Sequence, residues 1–298
     1  MIEQKTTIGF IGVGLMGLPM CRQLLSASAN LYVYNRNSAK CEPLISEGAK
    51  QASTLQDIAK YSDVIMLCVS NTQSVEAVME VLLPNLRSGQ LIIDFSSISP
   101  EATLMLAKQV QAVGASWIDC PVSGGVAGAE TGSLVMMAGG TAEDLERAMP
   151  LLKPLSQRVT HMGPSGAGQT TKVCNQMIVS CNVLVMAEAL ALAKKAGVDT
   201  SKIPPALQGG FADSLPLQLT GSRMAIQDFD DIKWHVKTLL KDLDMAKQLA
   251  TNANSAIPMA GLGAELIRQH ASNGFSEQDP ATLITLYEKV DKPGLSKE

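Results

Sequence analysis

Three glycines in the pattern Gly-x-Gly-x-x-Gly follow the first apolar run of the chain, and no other feature restricts the possible folds as strongly. Residues Thr6–Ile11 are largely apolar and contain several β-branched side chains, which predicts a strand. The residues after the glycines have the apolar spacing of a helix. Gly12 allows a tight turn, Gly14 allows another group to approach the backbone, and Gly17 allows a helix to pack closely on a strand. The pattern therefore predicts the first strand–turn–helix unit of an α/β sheet.

The first half of the chain continues this alternation of strands and helices. Strands are predicted at Thr6–Ile11, Leu31–Tyr34, Val64–Val69, Leu91–Phe95, Trp117–Pro121, Leu134–Ala138 and, more weakly, Val159–Met162. Amphipathic segments with helical spacing lie between them at Leu15–Ser28, Ser74–Leu83 and Pro100–Val113. Runs that are apolar throughout are typical of strands covered on both faces. The alternation predicts right-handed βαβ units around a largely parallel sheet.

The pattern changes near residue 164, after which there is no convincing strand. Residues 170–196 form one long apolar helical run, and Gly197 supplies a stop signal. Polar side chains interrupt this run, so we expect a buried helix and not a membrane span. They are Lys172, Asn175, Gln176, Asn182 and Glu188. Further helices are predicted at 201–209, 231–253, 258–272 and 280–290. We therefore predict two domains, residues 1–164 and 165–298, of which the second is all-helical.

The composition argues against several classes of protein. Apolar residues make up 46% of the 298 residues, which is typical of a soluble globular chain. Lys and Arg number 24 against 28 Asp and Glu, and this acidic balance argues against nucleic acid or an anionic membrane surface as a partner. The six cysteines form no C-x-x-C pair and the three histidines are far apart, so we expect no metal site. A reduced, cytoplasmic protein is the simplest interpretation, since the N-terminal residues lack a signal or transit pattern.

The glycine-rich turn predicts a dinucleotide site, because the helix after Gly17 would present free N–H groups to a pyrophosphate. The alternative is a connection that only turns the chain. The second predicted strand ends in Asn35 and Arg36, where NAD-binding chains usually carry a carboxylate for the ribose 2′-hydroxyl. A guanidinium at that place can pair with a 2′-phosphate instead. We therefore predict that NADP(H) is preferred, with NAD(H) possible, and the alternative for Arg36 is a solvated side chain.

Lys172 and Asn175 are three residues apart at the start of the long helix, so they share a helix face. A lysine near the positive end of a helix in apolar surroundings gives up its proton readily. Such a group suits the interconversion of an alcohol and a carbonyl. Asn175 would hold the substrate hydroxyl or orient the ammonium. The alternative is a lysine exposed to water, and the spacing alone does not decide between the two.

Several other residues lie where strands are predicted to end, and strand ends line the ligand crevice of open α/β sheets. Ser123, Gly124 and Gly125 follow one strand, and a hydroxyl beside two glycine N–H groups is suited to a carboxylate. The alternative is a plain glycine-rich turn. The segments Val69–Asn71 and Phe95–Pro100 carry hydroxyl groups that would reach the nicotinamide half of a cofactor. The alternative for Ser99 and Pro100 is a plain helix start, with serine as the N-cap and proline at the first helical position.

These motifs together resemble the β-hydroxyacid dehydrogenase family. Four segments carry the resemblance in order: Gly12-Val-Gly14-Leu-Met16-Gly17-Leu-Pro19-Met20, Asp119-Cys-Pro-Val-Ser123-Gly-Gly125, Gly168-x-x-x-Lys172-x-x-Asn175 and Lys241-Asp242-Leu243. They extend over nearly the whole chain, and four motifs are more specific than one. The resemblance implies an α/β, Rossmann-like N-terminal domain with a largely parallel sheet, followed by an all-α domain. It also implies a long interdomain helix, a substrate site at the domain junction, and a homodimer or homotetramer.

The resemblance further implies roles for individual residues. Lys172 would be the catalytic acid/base and Asn175 a substrate ligand, while Ser123, Gly124 and Gly125 would bind the substrate carboxylate. The implied cofactor site draws on several segments: Gly12, Gly14, Leu15, Met16, Gly17, Asn35, Arg36, Val69, Ser70, Ser74, Ser97 and Lys241. For Lys241, helical spacing with other polar residues alone would indicate a solvated face.

Some positions bear on the choice within the family. Many relatives have proline in place of Ser70 and a second asparagine in place of Gln176. Relatives that use NAD carry an acid at the position of Asn35, which favours NADP here. Imine-reducing relatives replace the catalytic lysine, whereas Lys172 is present.

The sequence therefore predicts an NADP(H)-dependent oxidoreductase that reversibly reduces a small semialdehyde or keto acid to a hydroxy acid. It does not identify which carboxylate-bearing substrate is used. One alternative is oxidative decarboxylation of a β-hydroxyacid, as in the related 6-phosphogluconate dehydrogenases, which release of CO₂ would reveal. The other is a non-catalytic NADPH-binding protein, which would bind the cofactor without oxidising it.

Overall fold

The computed structural model describes residues 6–288, so the N-terminal residues used for the targeting expectation lie outside it. The chain divides into two compact units, one ending at Lys172 and the other beginning at Val173. The strands are β1 (Thr7–Ile11), β2 (Asn30–Tyr34), β3 (Lys50–Gln51), β4 (Val64–Leu67), β5 (Leu91–Asp94), β6 (Ser116–Asp119), β7 (Val122–Ser123), β8 (Leu134–Gly139) and β9 (Ser156–Gly163). All of them belong to the first unit.

Twelve α-helices lie within residues 6–288. Those that begin in the first unit are α1 (Gly17–Ser26), α2 (Glu42–Ser46), α3 (Leu55–Tyr61), α4 (Thr72–Leu82), α5 (Pro100–Ala112), α6 (Gly125–Glu130), α7 (Ala142–Leu152) and α8 (Ala167–Lys195). Those of the second unit are α9 (Ile203–Leu207), α10 (Ser222–Ile226), α11 (Val236–Asn252) and α12 (Pro258–His270).

The strands of the described chain form one sheet in the order β3-β2-β1-β4-β5-β6-β8-β7, with β9 beside β8. The pairs from β3 through to β6 are all parallel. Strand β8 is antiparallel to β6 and β7 and parallel to β9. This order confirms the predicted α/β class with a largely parallel sheet. The strand order reverses between β1 and β4, and ligands of such sheets bind outside the carboxyl ends of the strands at that point.

The sheet is covered on both faces, which explains why its central strands are apolar throughout. Every residue of β4 and β5 is buried. Along β1, Ile8 and Phe10 pack into the core on one face and Ile11 packs into the core on the other. Burial on both faces removes the polar alternation that a half-exposed strand would show.

Two strands, β3 and β7, are not among those predicted, because two residues are too few for a periodic signal. Three others end earlier than predicted, β5 by one residue and β4 and β6 by two each. The run Val64–Val69 leaves the sheet after β4, and the N–H of Val69 donates to Ser96 Oγ at 3.0 Å. The run Trp117–Pro121 leaves it after β6, and Pro121 has no N–H to donate.

The second unit is helical, as predicted, with shifted boundaries. The helix predicted at 231–253 begins only at Val236, because the preceding residues bond elsewhere and the N–H of Lys233 donates to the Asp279 carboxylate at 2.9 Å. The segment predicted at 201–209 is a 3₁₀ turn, Thr200–Lys202, followed by α9. The predicted helix 280–290 is a 3₁₀ helix over Pro280–Leu286, and residues 289 and 290 lie outside the described part.

Helix α8 begins at Ala167, three residues before its predicted start. It is the one helix in residues 6–288 that is long and apolar enough to cross a membrane, but 44% of its most apolar stretch is buried. A core helix of a soluble protein has these same properties. The division between the two units falls within α8, whereas the predicted domain boundary at residue 164 lies in the turn before it. That boundary stays a prediction.

Candidate active site

The glycine-rich turn has the backbone geometry that its sequence requires. Gly12 has a φ of 103°, and a Cβ there would overlap the carbonyl oxygen of Cys68 after β4. A Cβ on Gly17 would overlap the carbonyl oxygen of Gly12, so α1 can press against the turn only because that residue is glycine. A Cβ on Gly14 would meet no atom within 4 Å, which leaves this backbone open to another group. Because α1 has no side-chain cap, its first N–H groups are suited to a phosphate.

Asn35 fixes the turn from the end of β2. Its Oδ1 accepts the N–H of Val13 at 3.1 Å, and its Nδ2 donates to the Asn37 carbonyl at 2.9 Å. Arg36 is exposed, and within the described residues its guanidinium forms no ion pair. Asn35 thus places a neutral amide, already bonded to Val13, where NAD-binding chains usually carry a carboxylate. The exposed guanidinium of Arg36 beside it is accessible to a ligand.

The ends of β4 and β5 bring the next predicted residues to the same edge of the sheet. Ser74 lies in the first turn of α4, where its N–H donates to Asn71 Oδ1 at 2.9 Å, and its hydroxyl is 3.4 Å from that of Ser70. Ser97 Oγ is buried and has no hydrogen-bond partner among the described residues. A buried hydroxyl without a partner is costly. This hydroxyl and the open backbone of Gly14 both fit a polar ligand along these strand ends.

Lys172 lies close to the predicted carboxylate-binding turn. Its Nζ donates to the carbonyl oxygen of Val122 at 2.9 Å, and Val122 directly precedes Ser123 in β7. The next two residues, Gly124 and Gly125, have φ values of 128° and 61°, which carry the chain out of β7 into α6. The structure thus brings together in the first unit two segments that are 50 residues apart in sequence.

Two buried aspartates lie at the ends of β5 and β6, and the sequence analysis assigned no role to either side chain. Asp94 ends β5 and Asp119 ends β6, and the two are directly paired in the sheet register. Burial raises the pKa of Asp94 to about 7, since it outweighs the bonds that Asp94 accepts from Ser96. Burial also raises the pKa of Asp119, although hydrogen bonds from Gly166 and Gln169 oppose this shift.

Burial and the neighbouring carboxyls disfavour the thiolate form of the two nearest cysteines. Burial raises the pKa of Cys68 to about 12, and the nearby charge of Asp94 adds to the shift. Burial also raises the pKa of Cys120, and the nearby charges of Asp119 and Asp94 add to the shift. All six cysteines are free. Within residues 6–288 no group of three or more His, Cys, Asp or Glu residues is arranged to hold a metal ion.

In the second unit, hydrogen bonds connect Asn175 through Gln176 to Asp242, and the side chain of Lys241 lies beside Asp242. Asn175 Nδ2 donates to Gln176 Oε1 at 2.7 Å, and Gln176 Nε2 donates to the buried Asp242 Oδ2 at 2.5 Å. Lys241 Nζ lies 3.3 Å from Asp242 Oδ1, within ion-pair distance but without hydrogen-bond alignment. Because a carboxylate only accepts, Asp242 sets the orientation of the Gln176 amide and, through it, that of Asn175. Lys241 is two-thirds buried, so it is not part of a fully solvated face.

Two family models match the chain, one in each half. Residues 7–163 match the family described as the NAD binding domain of 6-phosphogluconate dehydrogenase. Residues 166–287 match the family described as NAD-binding of NADP-dependent 3-hydroxyisobutyrate dehydrogenase.

Individual relatives match over most of their length. A 2-hydroxy-3-oxopropionate reductase of Escherichia coli is 39% identical over 94% of this chain and 97% of its own. An NAD-dependent L-serine dehydrogenase of Pseudomonas aeruginosa is 30% identical over 94% of this chain and 97% of its own. The structure of a Mycobacterium tuberculosis 3-hydroxyisobutyrate dehydrogenase with L-serine superposes with a TM-score of 0.87 at 26% identity, over 95% of this chain and 99% of that one.

Proposed function

The chain belongs to the β-hydroxyacid dehydrogenase family and is an NAD(P)-dependent oxidoreductase acting on a CH–OH group; we propose that it is an NADPH-dependent reductase of a small carbonyl acid with Lys172 as its acid/base. The observation that carries the proposal is the position of the Lys172 ammonium, 2.9 Å from the carbonyl oxygen that precedes Ser123. A cationic proton donor beside a turn suited to carboxylate is the pair of groups that reduction of a carbonyl acid needs.

In the proposed reaction, the Ser123 hydroxyl and the N–H groups of Gly124 and Gly125 hold the substrate carboxylate. A bound nicotinamide supplies the hydride, or accepts it in the reverse direction. Lys172 donates a proton to the carbonyl oxygen as the alcohol forms, and a proton from water restores the ammonium. In the oxidative direction the neutral amine accepts the hydroxyl proton. Asn175 binds the substrate hydroxyl, with its amide orientation set through Gln176.

The same proposal assigns the cofactor to the strand ends of the first unit. Gly12, Gly14, Leu15, Met16 and Gly17 would cradle the pyrophosphate. Residues that follow β4 and β5 would line the rest of the cofactor site: Val69, Ser70, Ser74 and Ser97. Lys241 of the second unit is also assigned to it. Ser97 Oγ supports this assignment, because it is buried and lacks a partner within residues 6–288.

We extend the proposal to NADP(H) as the preferred cofactor, with NAD(H) possible. Two features support it. Asn35 presents no charge that would repel a 2′-phosphate, and its Oδ1 is bonded to the N–H of Val13. Arg36 beside it is exposed and can pair with a phosphate through two donors. One charge-assisted hydrogen bond stabilises a complex by about 1.5–3 kcal/mol, which corresponds to roughly 10- to 150-fold in affinity.

We further propose a homo-oligomer formed through the second unit. Three large apolar side chains on α8 are exposed at seven-residue intervals: Ile178 at 70%, Val185 at 56% and Leu192 at 70%. Apolar residues that repeat every seven positions form one stripe along a helix, and a stripe of this kind can pack against the same stripe of a second copy about a two-fold axis. A second copy of this chain is therefore the occupant that the spacing favours.

The decisive experiment follows the absorbance of NADPH, and separately of NADH, with glyoxylate and with succinic, tartronate and methylmalonate semialdehydes. We expect turnover with NADPH and much less with NADH. Release of CO₂ during oxidation of a hydroxy acid would support the decarboxylase alternative instead. Protein that binds NADPH but oxidises it with none of these compounds would contradict the proposed substrate class.

A further inference from the structure

Asp119 occupies an unusual place for a carboxyl group. It is the last residue of β6 and is fully buried. Both of its oxygens accept backbone N–H groups from one distant segment: Oδ1 from Gly166 at 2.8 Å and Oδ2 from Gln169 at 2.9 Å. These donors lie at the beginning of α8. Asp119 therefore caps this helix from a strand that is nearly 50 residues away in sequence.

The cap is tight, because two glycines let the helix approach the strand ends. A Cβ on Gly168 would stand 2.8 Å from Asp119 Oδ2 and 2.7 Å from the Asp119 carbonyl oxygen. A Cβ on Gly139 of β8 would stand 2.6 Å from Asp119 Oδ1. Real Cβ atoms do not approach oxygens so closely. The first turn of α8 is therefore packed in one position against the strand ends and has little freedom to shift.

A second tether holds the same turn. The side chain of Gln169 is buried, and its Nε2 donates to the Ser96 carbonyl at 2.7 Å while its Oε1 accepts the N–H of Ile98 at 3.2 Å. The segment it binds, residues 96–98, contains Ser97 of the proposed cofactor site. The start of α8 is thus fixed to the ends of both β5 and β6.

Lys172 follows Gln169 by three residues, about one helical turn. We propose that Asp119 is a positioning residue of the reaction: by fixing the first turn of α8 it aims the Lys172 ammonium at the turn that carries Ser123. This inference rests on the proposed function, because it matters only if Lys172 transfers the proton. Asp119 acts through the helix and touches neither substrate nor cofactor in this account.

The neighbouring Asp94 supplies a matched control. It is equally buried and pairs with Asp119 in the sheet. Its Oδ1 accepts the N–H of Ser96 at 2.9 Å, while its Oδ2 has no hydrogen-bond partner within residues 6–288. Within the described chain Asp94 makes no direct hydrogen bond to α8, and Asp94→Asn keeps an oxygen for the N–H of Ser96, the residue that Gln169 binds. This variant therefore tests the loss of a buried carboxyl alone.

The test compares Asp119→Asn, Asp94→Asn and Lys172→Ala with the wild-type chain. In Asp119→Asn an NH₂ group replaces one of the two oxygens and faces a backbone N–H group, so one hydrogen bond is lost. The first turn of α8 is then no longer held in its position. We expect kcat per bound NADPH to fall by roughly 10- to 100-fold in Asp119→Asn, because a misplacement of about 1 Å costs on that order. The Kd of NADPH and the substrate KM should stay near wild-type values. Asp94→Asn should retain most of the wild-type kcat.

The outcomes separate this inference from the proposed function. If Lys172→Ala retains its turnover, the proposed role of Lys172 is wrong and the inference is wrong with it. If Lys172→Ala is inactive while Asp119→Asn turns over normally, only the positioning role is overturned. If kcat falls in Asp119→Asn only because a smaller fraction of the protein binds NADPH, the role of Asp119 is purely structural and the inference is overturned. The same holds if Asp94→Asn shows an equal fall in kcat.

Should Asp119→Asn fail to fold, Gly168→Ala decides the question. Its Cβ would stand 2.8 Å from Asp119 Oδ2, which pushes the first turn of α8 away from the Asp119 carboxyl while leaving that carboxyl in place. A fall in kcat per bound NADPH at constant substrate KM would support positioning through the helix start. An unchanged kcat would overturn it.

Discussion

The ammonium of Lys172 donates a hydrogen bond to the carbonyl oxygen of Val122, over 2.9 Å. This bond fixes the position of the proposed proton donor relative to Ser123, the next residue in the chain. The ammonium is therefore held beside the residue proposed to bind the substrate carboxylate.

Replacing Lys172 with alanine should remove the chemical step and leave the cofactor site intact. We expect kcat to fall by at least about 10²-fold, while the Kd of NADPH changes by less than about 3-fold. Steady-state kinetics with the best carbonyl acid and a fluorescence titration with NADPH measure the two quantities. Lys237→Ala is the control, since Lys237 is exposed and pairs with Glu277 on the surface. A Lys172→Ala enzyme that kept most of its turnover would exclude this residue as the acid/base.

The choice between NADPH and NADH should depend on Asn35. Asn35→Asp keeps an oxygen for the Val13 N–H but adds a negative charge where a 2′-phosphate would lie. We expect the ratio of kcat/KM for NADPH to that for NADH to fall by roughly 10- to 150-fold, the range of a charge-assisted hydrogen bond. Arg36→Ala should lower the same ratio without affecting NADH. If neither variant changes the ratio, the preference does not arise at this strand end.

Mutation of the exposed stripe on α8 should reduce the size of the assembly. Val185 is the middle of its three apolar residues, and Val185→Glu would bury a charge if a second copy covered it. Light scattering coupled to gel filtration should then give a smaller mass than for wild type. Lys195→Glu, at the exposed end of the same helix, is the control with a larger change in charge. Equal masses for all three proteins would place any interface elsewhere.

The second unit should lose stability in mild acid because of His270. This side chain is buried, with its Nε2 2.9 Å from Thr282 Oγ1 and its ring 4.2 Å from that of Phe275. Burial lowers its pKa to about 4. The unfolded chain then binds a proton at a higher pH than the folded chain, so the stability is complete above about pH 6.5 and is lost as the pH falls toward about 4.

We expect the free energy of unfolding to fall by about 2 kcal/mol between about pH 7.5 and about pH 5 from this group. Urea unfolding followed by Trp234 fluorescence measures it in a Trp117→Phe background, since the chain has two tryptophans. His270→Gln should remove that part of the pH dependence. An equal pH dependence in both proteins would contradict the assignment to His270.

Local patterns allowed most of the sheet to be predicted. The glycine turn and the apolar runs depend on residues close in sequence, and the structure has β1, β2, β4, β5, β6, β8 and β9 where strands were expected, within a few residues. Strand β7 was missed, although it carries Ser123. It pairs with β8 over two residues, which leaves no repeat to recognise.

The contacts that connect the candidate site could not be predicted in this way. Asp119 is part of a motif that the sequence analysis singled out, but its partners Gly166 and Gln169 are 47 and 50 residues away. Gln176 and Asp242 are 66 residues apart. Such bonds depend on how the elements pack and not on local spacing, so local patterns identified candidate residues but not the contacts that hold them. Their roles toward substrate and cofactor stay predictions.

The buried carboxyl of Asp94 also affects the heat of folding. With a pKa of about 7 in the folded chain and about 4 in the unfolded chain, Asp94 takes up part of a proton when the protein folds at neutral pH. The buffer must supply that proton. The calorimetric enthalpy of unfolding at neutral pH therefore contains a contribution from the ionisation of the buffer, which differs between phosphate and Tris.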